Sequence, residues 1–405
     1  MAHSAGRWTG AGAVFQAPFR IFFLSSAVAA AILIPVWLTL FTQGGGQRML
    51  VQPLLWHQHE MLAGFFYAAV AGFILTAVAN WTRTPALHGG ALMALWLLWL
   101  AGRVAMAVGG DFPLLSSVLD LAFMPVLAGI VAQRVWKVRQ YRQTILVVVL
   151  MSFWLLDLLF HWTGDARFLH AMVLLAAALI IIIGGRITPA FTGNWLMRVK
   201  GPEAARALRR YPRLDRLNIA VCLLLVLQEA LGWQWAWLVA PLALLAALLV
   251  LVRLVGWTGW RTASDPLLFI LHVGHVWIVL GFLLKALAAL SLVPQTAWLH
   301  ALGAGAIATM ILAVATRVTV AHTGRPLRLL PGAHWAYWAV IVAGVLRVLT
   351  ALQWLPFQWG VWSAAVAWIL AFVVFLLCYA PVLCKPSADD TSHVDEAIIR
   401  QIRGR

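Results

Sequence analysis

An all-α integral membrane fold is what this sequence predicts: about twelve transmembrane helices in three pseudo-repeated four-helix units. Three observations predict it. The chain of 405 residues is 63% hydrophobic and 10% charged, where a soluble domain carries about 25% charged residues. Apolar runs recur from about residue 19 to residue 383, each near the ~20 residues that cross a ~30 Å hydrocarbon core as helix. The basic residues fall almost entirely between these runs. Helix is the expected spanning form, because lipid offers no partner to a free backbone amide or carbonyl, and the alternation of a membrane β-barrel is absent.

Read against their breakers, the runs and the charges between them follow in order. Helix 19–41 is followed by Arg48, and helix 54–80 by Arg83. Helix 90–109 is followed by Asp111, and helix 114–133 by Arg134, Lys137, Arg139 and Arg142. Helix 143–162 leads to Asp165 and Arg167, and helix 168–190 to Arg198, Lys200, Arg206, Arg209, Arg210, Arg213 and Arg216. Helix 216–232 holds only Glu229 near its end, whereas helix 236–256 comes with Arg253 and Arg261. Helices 266–290 and 297–321 follow, the second leading to Arg325 and Arg328, and helices 334–352 and 358–383 complete the set.

The positive excess thus follows even-numbered helices, and the positive-inside rule places both termini in the cytoplasm. The same placement accounts for the formal net charge of +16. No basic helix or aromatic RNA-binding motif accompanies the charge, so no nucleic-acid partner is expected; the lipid bilayer is. Residues 1–12 are weakly basic and lack a small-residue cleavage site, so the first apolar run is read as a retained helix. Cysteine occurs only as Cys222, Cys378 and Cys384, with no C-x-x-C-H and no thiolate cluster, so any metal must rely on histidine.

Self-similarity appears at the second, sixth and tenth helices, each of which opens with a histidine. The second reads His59-Glu60-Met61 and ends Asn80-Trp81-Thr82. The sixth reads His170-Ala171-Met172 and ends in 186–193, and the tenth reads His300-Ala301-Leu302 and ends in 317–324. Histidine to closing threonine spans 23, 22 and 23 residues, from 59 to 82, 170 to 192 and 300 to 323. The chain is therefore read as a single membrane domain with repeats over 15–142, 143–262 and 263–385 and a short cytoplasmic tail, 386–405. Equivalent helices of such a bundle should line its centre, bringing His59, His170 and His300 to one depth near the outer face.

A buried imidazole needs a partner worth its desolvation, so these three are candidate metal or haem ligands. The competing reading is that each is solvated or caps a neighbouring carbonyl. His57 lies about 200° around the helix from His59; the repeat selects His59, leaving His57 as a flank residue or a supporting ligand. The ninth helix carries His272 and His275, three apart and on one face, too deep for plain solvation. They are either further ligands or neutral histidines bonded to neighbouring helices.

Asp120, Asp157 and His161 offer a proton relay or simple pairing with Arg103 or Arg167. Lys285 and Arg347 are expected to snorkel to the outer interface, or to hold haem propionates. Thr188, Thr192, Thr319 and Thr323 read as helix termination and tight turns, and most of the 23 tryptophans as interface belts and packing.

Residues 300–326, His300 to Pro326, closely resemble the signature of the NnrS family. So do Trp56-His-Gln-His-Glu-Met-Leu-Ala-Gly64, the stretch from Gly72 to Trp81, and Gly184-Gly-Arg-Ile-Thr-Pro-Ala-Phe-Thr192. The resemblance runs nearly end to end. It implies a bacterial inner-membrane protein containing haem and copper, associated with denitrification and tolerance to nitric oxide, without fixing a reaction or assigning ligands. A more distant likeness of architecture is to the catalytic subunit of haem-copper oxidases and their nitric oxide reductase relatives. The sequence departs from that pattern in lacking paired histidines on the seventh helix and His-x-His on the tenth.

The expectation is then a membrane protein with one or more haem b groups, and copper as a further metal, that binds nitric oxide and reduces it with electrons from a separate donor. His59 and His300 are the expected haem ligands, with His170, His272 and His275 as further haem or copper ligands. The alternative class is a transporter or haem-based sensor of the same nitrosative response.

Overall fold

In the computed structural model, which describes residues 10–388, the chain is all-helical. We number the long helices α1 (Pro18–Gln43), α2 (Pro53–Thr82), α3 (Gly89–Val108), α4 (Pro113–Lys137), α5 (Thr144–Thr163), α6 (Ala166–Val199), α7 (Pro212–Ala230), α8 (Ala236–Gly256), α9 (Pro266–Ala289), α10 (Thr296–Ala321), α11 (His334–Ala351) and α12 (Phe357–Leu383). Five of them begin with proline in the first turn, where the missing N–H has no intrahelical acceptor to lose.

Among the described residues, eleven helices are long and apolar enough to cross a membrane, and the protein is a multi-pass membrane protein. The exception to the twelve expected is α7. It forms as a helix and packs between α6 and α8, burying Val221, Cys222 and Leu225, but its 19 residues include Arg213, Asp215, Arg216 and Glu229. Those charges sit at its two ends and dilute a span that is apolar only in the middle. The expected tail lies, from residue 389 on, outside the described residues.

The expected centre is where burial is greatest. In the most apolar stretches of α2, α6 and α10, 89%, 72% and 67% of residues are buried, against 33–61% in the other spans. These three helices also pack against one another pairwise. Around them, sequential neighbours pair, and α12 returns beside α1. There Arg20, almost wholly buried, donates to the carbonyls of Val382 and Leu383 and to Ser387 Oγ, satisfying the orphan carbonyls at the end of α12. Tryptophan collects at the α5, α7–α8 and α11–α12 ends: Trp162, Trp237, Trp354 and Trp359 are all more than 70% exposed. Trp233, Trp235 and Trp237 stack in series. Exposed indoles gathered at helix ends are what a membrane–water interface favours.

Two features depart from regular α-helix. Both α2 and α10 become π-helical for seven residues directly after the repeat histidine, over Glu60–Phe66 and Ala301–Ile307. By contrast α6 is α-helical throughout and runs on through Pro189 to Val199, nine residues past its expected end. Thr188 and Thr192 therefore lie inside the helix rather than at its end, with Thr192 Oγ1 donating to the Thr188 carbonyl at 2.8 Å. Thr323 does lie in a turn, bonded to the Thr319 carbonyl.

Candidate functional sites

The histidines sort into three groups. The first is a cavity of about 380 Å³ between α1, α2, α6, α10, α11 and α12, within the ~300–1,000 Å³ usual for a ligand site. Its walls are apolar and aromatic, and its chemistry comes from His57, His170, His300 and Arg347. His57 stacks on Trp37, ring centroids 4.2 Å apart, and its Nδ1 is buried without a hydrogen-bond partner. His300 Nδ1–H donates to the Thr296 carbonyl at 2.7 Å, which fixes the tautomer and leaves the Nε2 lone pair free. His170 Nδ1 lies 3.6 Å from Glu229 Oε1.

Arg347 forms no ion pair among the described residues, so its guanidinium is available to a carboxylate in the cavity. Lys285 is different. It is only 2% exposed and bonds Glu229 Oε2 at 2.6 Å over the Trp298 ring, so the expected snorkelling does not occur; a buried carboxylate partner is the reason.

The second group is built by α2, α3, α4 and α5. His59 and Glu60 come from α2, Arg103 from α3, Asp120 from α4, and Asp157 and His161 from α5, where the spacing of four puts them on one face. His59 Nε2 lies 3.1 Å from both Asp120 Oδ2 and Asp157 Oδ1, and His161 Nε2 lies 2.8 Å from Asp120 Oδ2. Ligand atoms of His59, Asp120, Asp157 and His161 all fall within 4.8 Å of one another. Behind them Glu60 Oε1 accepts from His59 Nδ1 at 3.1 Å and from Arg103, which also pairs with Asp120. Gly102 allows α3 this close to α4: a Cβ there would lie 3.0 Å from the Asp120 Cα.

The third group is His272 and His275 on α9. His272 Nε2–H donates to Thr192 Oγ1 at 3.0 Å, and His275 Nδ1–H to the Leu271 carbonyl at 2.8 Å. His272 Nδ1 and His275 Nε2 are left buried and unpartnered. The edge of Trp257 packs on His275 at 4.9 Å, and Gly184 of α6 faces its ring, where a Cβ would lie 2.9 Å from Nε2.

Of the five expected ligands, then, the structure brings His170 and His300 together in the cavity. His272 and His275 form a separate pair, and His59 sits in the carboxylate cluster. His57 takes the cavity position expected of His59, because the two side chains leave α2 in nearly opposite directions and the centre lies on the His57 side. The sequence reading did not connect His59 to Asp120 and Asp157. The i,i+4 spacing of Asp157 and His161 was the available signal, but the partners come from helices 37 to 98 residues apart in the chain, which periodicity does not relate.

Comparison with known proteins agrees with the sequence motifs. No curated protein matches the chain. A family model, described as NnrS protein, matches residues 13–387, a stretch that includes all three histidine groups and every long helix. The protein belongs to the NnrS family.

Proposed function

We propose that the protein is a haem-binding protein of the bacterial inner membrane, with both termini cytoplasmic, that binds nitric oxide as part of nitric oxide metabolism or tolerance. The observation that carries this reading is the cavity: three imidazoles and a guanidinium without an ion pair among the described residues, in an otherwise apolar chamber among the most buried helices. These residues fit a haem. His300 presents a free Nε2 because the Thr296 carbonyl holds its other nitrogen, the second-shell arrangement usual for a metal-bound imidazole. His57 and His170 are the other candidate iron ligands, and Arg347 suits the propionates. The apolar walls favour a planar hydrophobic group and a small uncharged gas.

Haem would supply an iron with an open position for nitric oxide. The chain's own residues bind and orient the group and exclude water. Glu229 faces His170 from behind the cavity and keeps a carboxylate beside that ring. His272 and His275 each offer one unpaired ring nitrogen, and we assign to them the second cofactor position, haem or copper. The pairwise packing of α2, α6 and α10 favours the three-unit arrangement and its likeness to haem-copper oxidases at the level of architecture. Reduction of nitric oxide is the reaction this arrangement favours, with electrons from a separate donor.

The test is a visible spectrum of the detergent-purified protein from haem-replete cells, titrated with nitric oxide, beside His300→Ala and His57→Ala. A haem band that shifts on nitric oxide binding and is lost or displaced in the variants is expected. A colourless preparation overturns the proposal. Consumption of nitric oxide with an added reductant separates an enzyme from a sensor that only binds.

A further inference from the structure

The carboxylate cluster between α2, α3, α4 and α5 shares no residue with the cavity or with the α9 pair. We propose that His59, Asp120, Asp157 and His161 form a closed site for one divalent first-row cation of the zinc class, with Glu60 and Arg103 as its supporting shell.

The argument begins with the His59 tautomer. Its Nδ1–H donates to Glu60 Oε1 at 3.1 Å, an acceptor pinned by Arg103 at 2.5 Å. The Nε2 of the neutral ring then carries a lone pair, yet it points at two carboxylate oxygens, each 3.1 Å away. Three acceptors facing one another in a buried space repel unless a positive charge lies between them, either a proton on Nε2 or a metal ion. His161 brings a fourth donor atom to the same point, with Nε2 at 2.8 Å from Asp120 and 3.9 Å from Asp157.

Charge gives the same answer. With both rings neutral, three carboxylates face one guanidinium, a formal charge of −2 in a region where His59, Glu60 and the Asp120 side chain are at most 1% exposed. An uncompensated charge of that size is not kept out of water, and a dication neutralises it. Two polar atoms point independently to a missing partner. Glu60 Oε2, on the residue directly after His59, and the Tyr67 hydroxyl, about two helical turns beyond it, are buried without a hydrogen-bond partner among the described residues.

The donor set selects the ion. Two imidazoles and two carboxylates without a thiolate suit zinc and its borderline neighbours rather than a soft monovalent metal. Four protein ligands fill a tetrahedron, and a filled tetrahedron is a structural site rather than a catalytic one. The carboxylate–histidine–metal chain from Glu60 through His59 is the expected orienting device. Such an ion would clamp α2, α4 and α5 together two residues from His57, and so fix the turn of α2 that presents His57 to the cavity.

The experiment uses the full-length protein in detergent, stripped with chelator and dialysed against Zn²⁺, with bound metal measured by mass spectrometry and haem by its visible band. Wild type should retain roughly one zinc per chain. His161→Ala and Asp157→Asn should lose it while keeping the haem band, and Glu60→Gln should bind about 10- to 100-fold more weakly. Equal zinc in wild type and His161→Ala, or none in wild type, overturns the proposal.

If the variants do not fold, zinc-edge absorption spectroscopy of wild type decides. Four N/O ligands at about 2.0–2.2 Å including imidazole support the site, and a sulfur-containing or imidazole-free shell refutes it. The haem band is read separately, so the failure of this inference and of the haem reading are distinguishable.

Discussion

Replacing Lys285 with Met removes one half of an ion pair buried inside the helical bundle. Nζ and Glu229 Oε2 are 2.6 Å apart, with side chains 3% and 6% exposed, so neither group has water to fall back on. Breaking such a pair from one side costs about 3–5 kcal/mol, because the surviving charge stays buried, whereas replacing both partners with apolar groups of similar volume is often close to neutral.

Glu229→Leu should cost a similar amount, lessened by the Trp298 ring 4.1 Å from Nζ, which contributes about 0.5–2 kcal/mol to a desolvated cation. The double variant should then recover most of the loss and give a coupling of about 3 kcal/mol or more. Denaturation of the detergent-solubilised protein, followed by helical signal for wild type, both singles and the double, measures that coupling. Additivity within about 0.5 kcal/mol, the behaviour of independent sites, would refute the reasoning. It would mean that the two charges are solvated separately rather than held by each other.

Arg20→Met should destabilise by at least about 1.5–3 kcal/mol, the value of hydrogen bonds made by a charged donor, and expose the end of α12 to protease at 382–387; an unchanged cleavage pattern would contradict the clamp. Gly102→Ala should cost about 1–3 kcal/mol by overpacking, since its Cβ meets the Asp120 backbone at 3.0 Å, and should weaken zinc retention in the same dialysis assay. Arg347→Met should leave the fold intact, as its melting temperature reports, but lower haem occupancy in the purified protein. Full occupancy would show that the guanidinium does not hold the propionates.

Much of the architecture was legible because bilayer thickness imposes a length, and proline and charge mark where each span stops. Nine of twelve helices end within two residues at both ends of where composition puts them. The largest miss, the end of α6, came from treating Pro189 as a terminator. The ring interferes with only one carbonyl, that of Gly185, and the helix continues beyond it, where the Thr192 hydroxyl donates to the Thr188 carbonyl. The recurring histidine-to-threonine spacing also singled out the three most buried helices.

What the sequence did not give was direction. On a helix as apolar as α2, nothing in the periodicity says whether His57 or His59 faces the centre. The partners that decide it, Asp120 and Asp157, become neighbours only once separate helices have packed. Likewise Lys285 reads as a snorkelling side chain until Glu229 arrives from another helix to hold it.

The two π-helical stretches have a mechanical consequence. A π turn holds an extra residue, so everything beyond Phe66 in α2 and beyond Ile307 in α10 is rotated about the helix axis relative to a regular continuation. Met61, Leu62 and Phe65 on one helix, and Gly303, Ala304 and Ile307 on the other, belong to these stretches and to the wall of the chamber. The widened coils therefore act as swivels set into the lining itself. Removing a single residue from either would turn the remainder of that helix like a key, presenting its neighbours with a different face while leaving the hydrophobic length of the span almost unaltered.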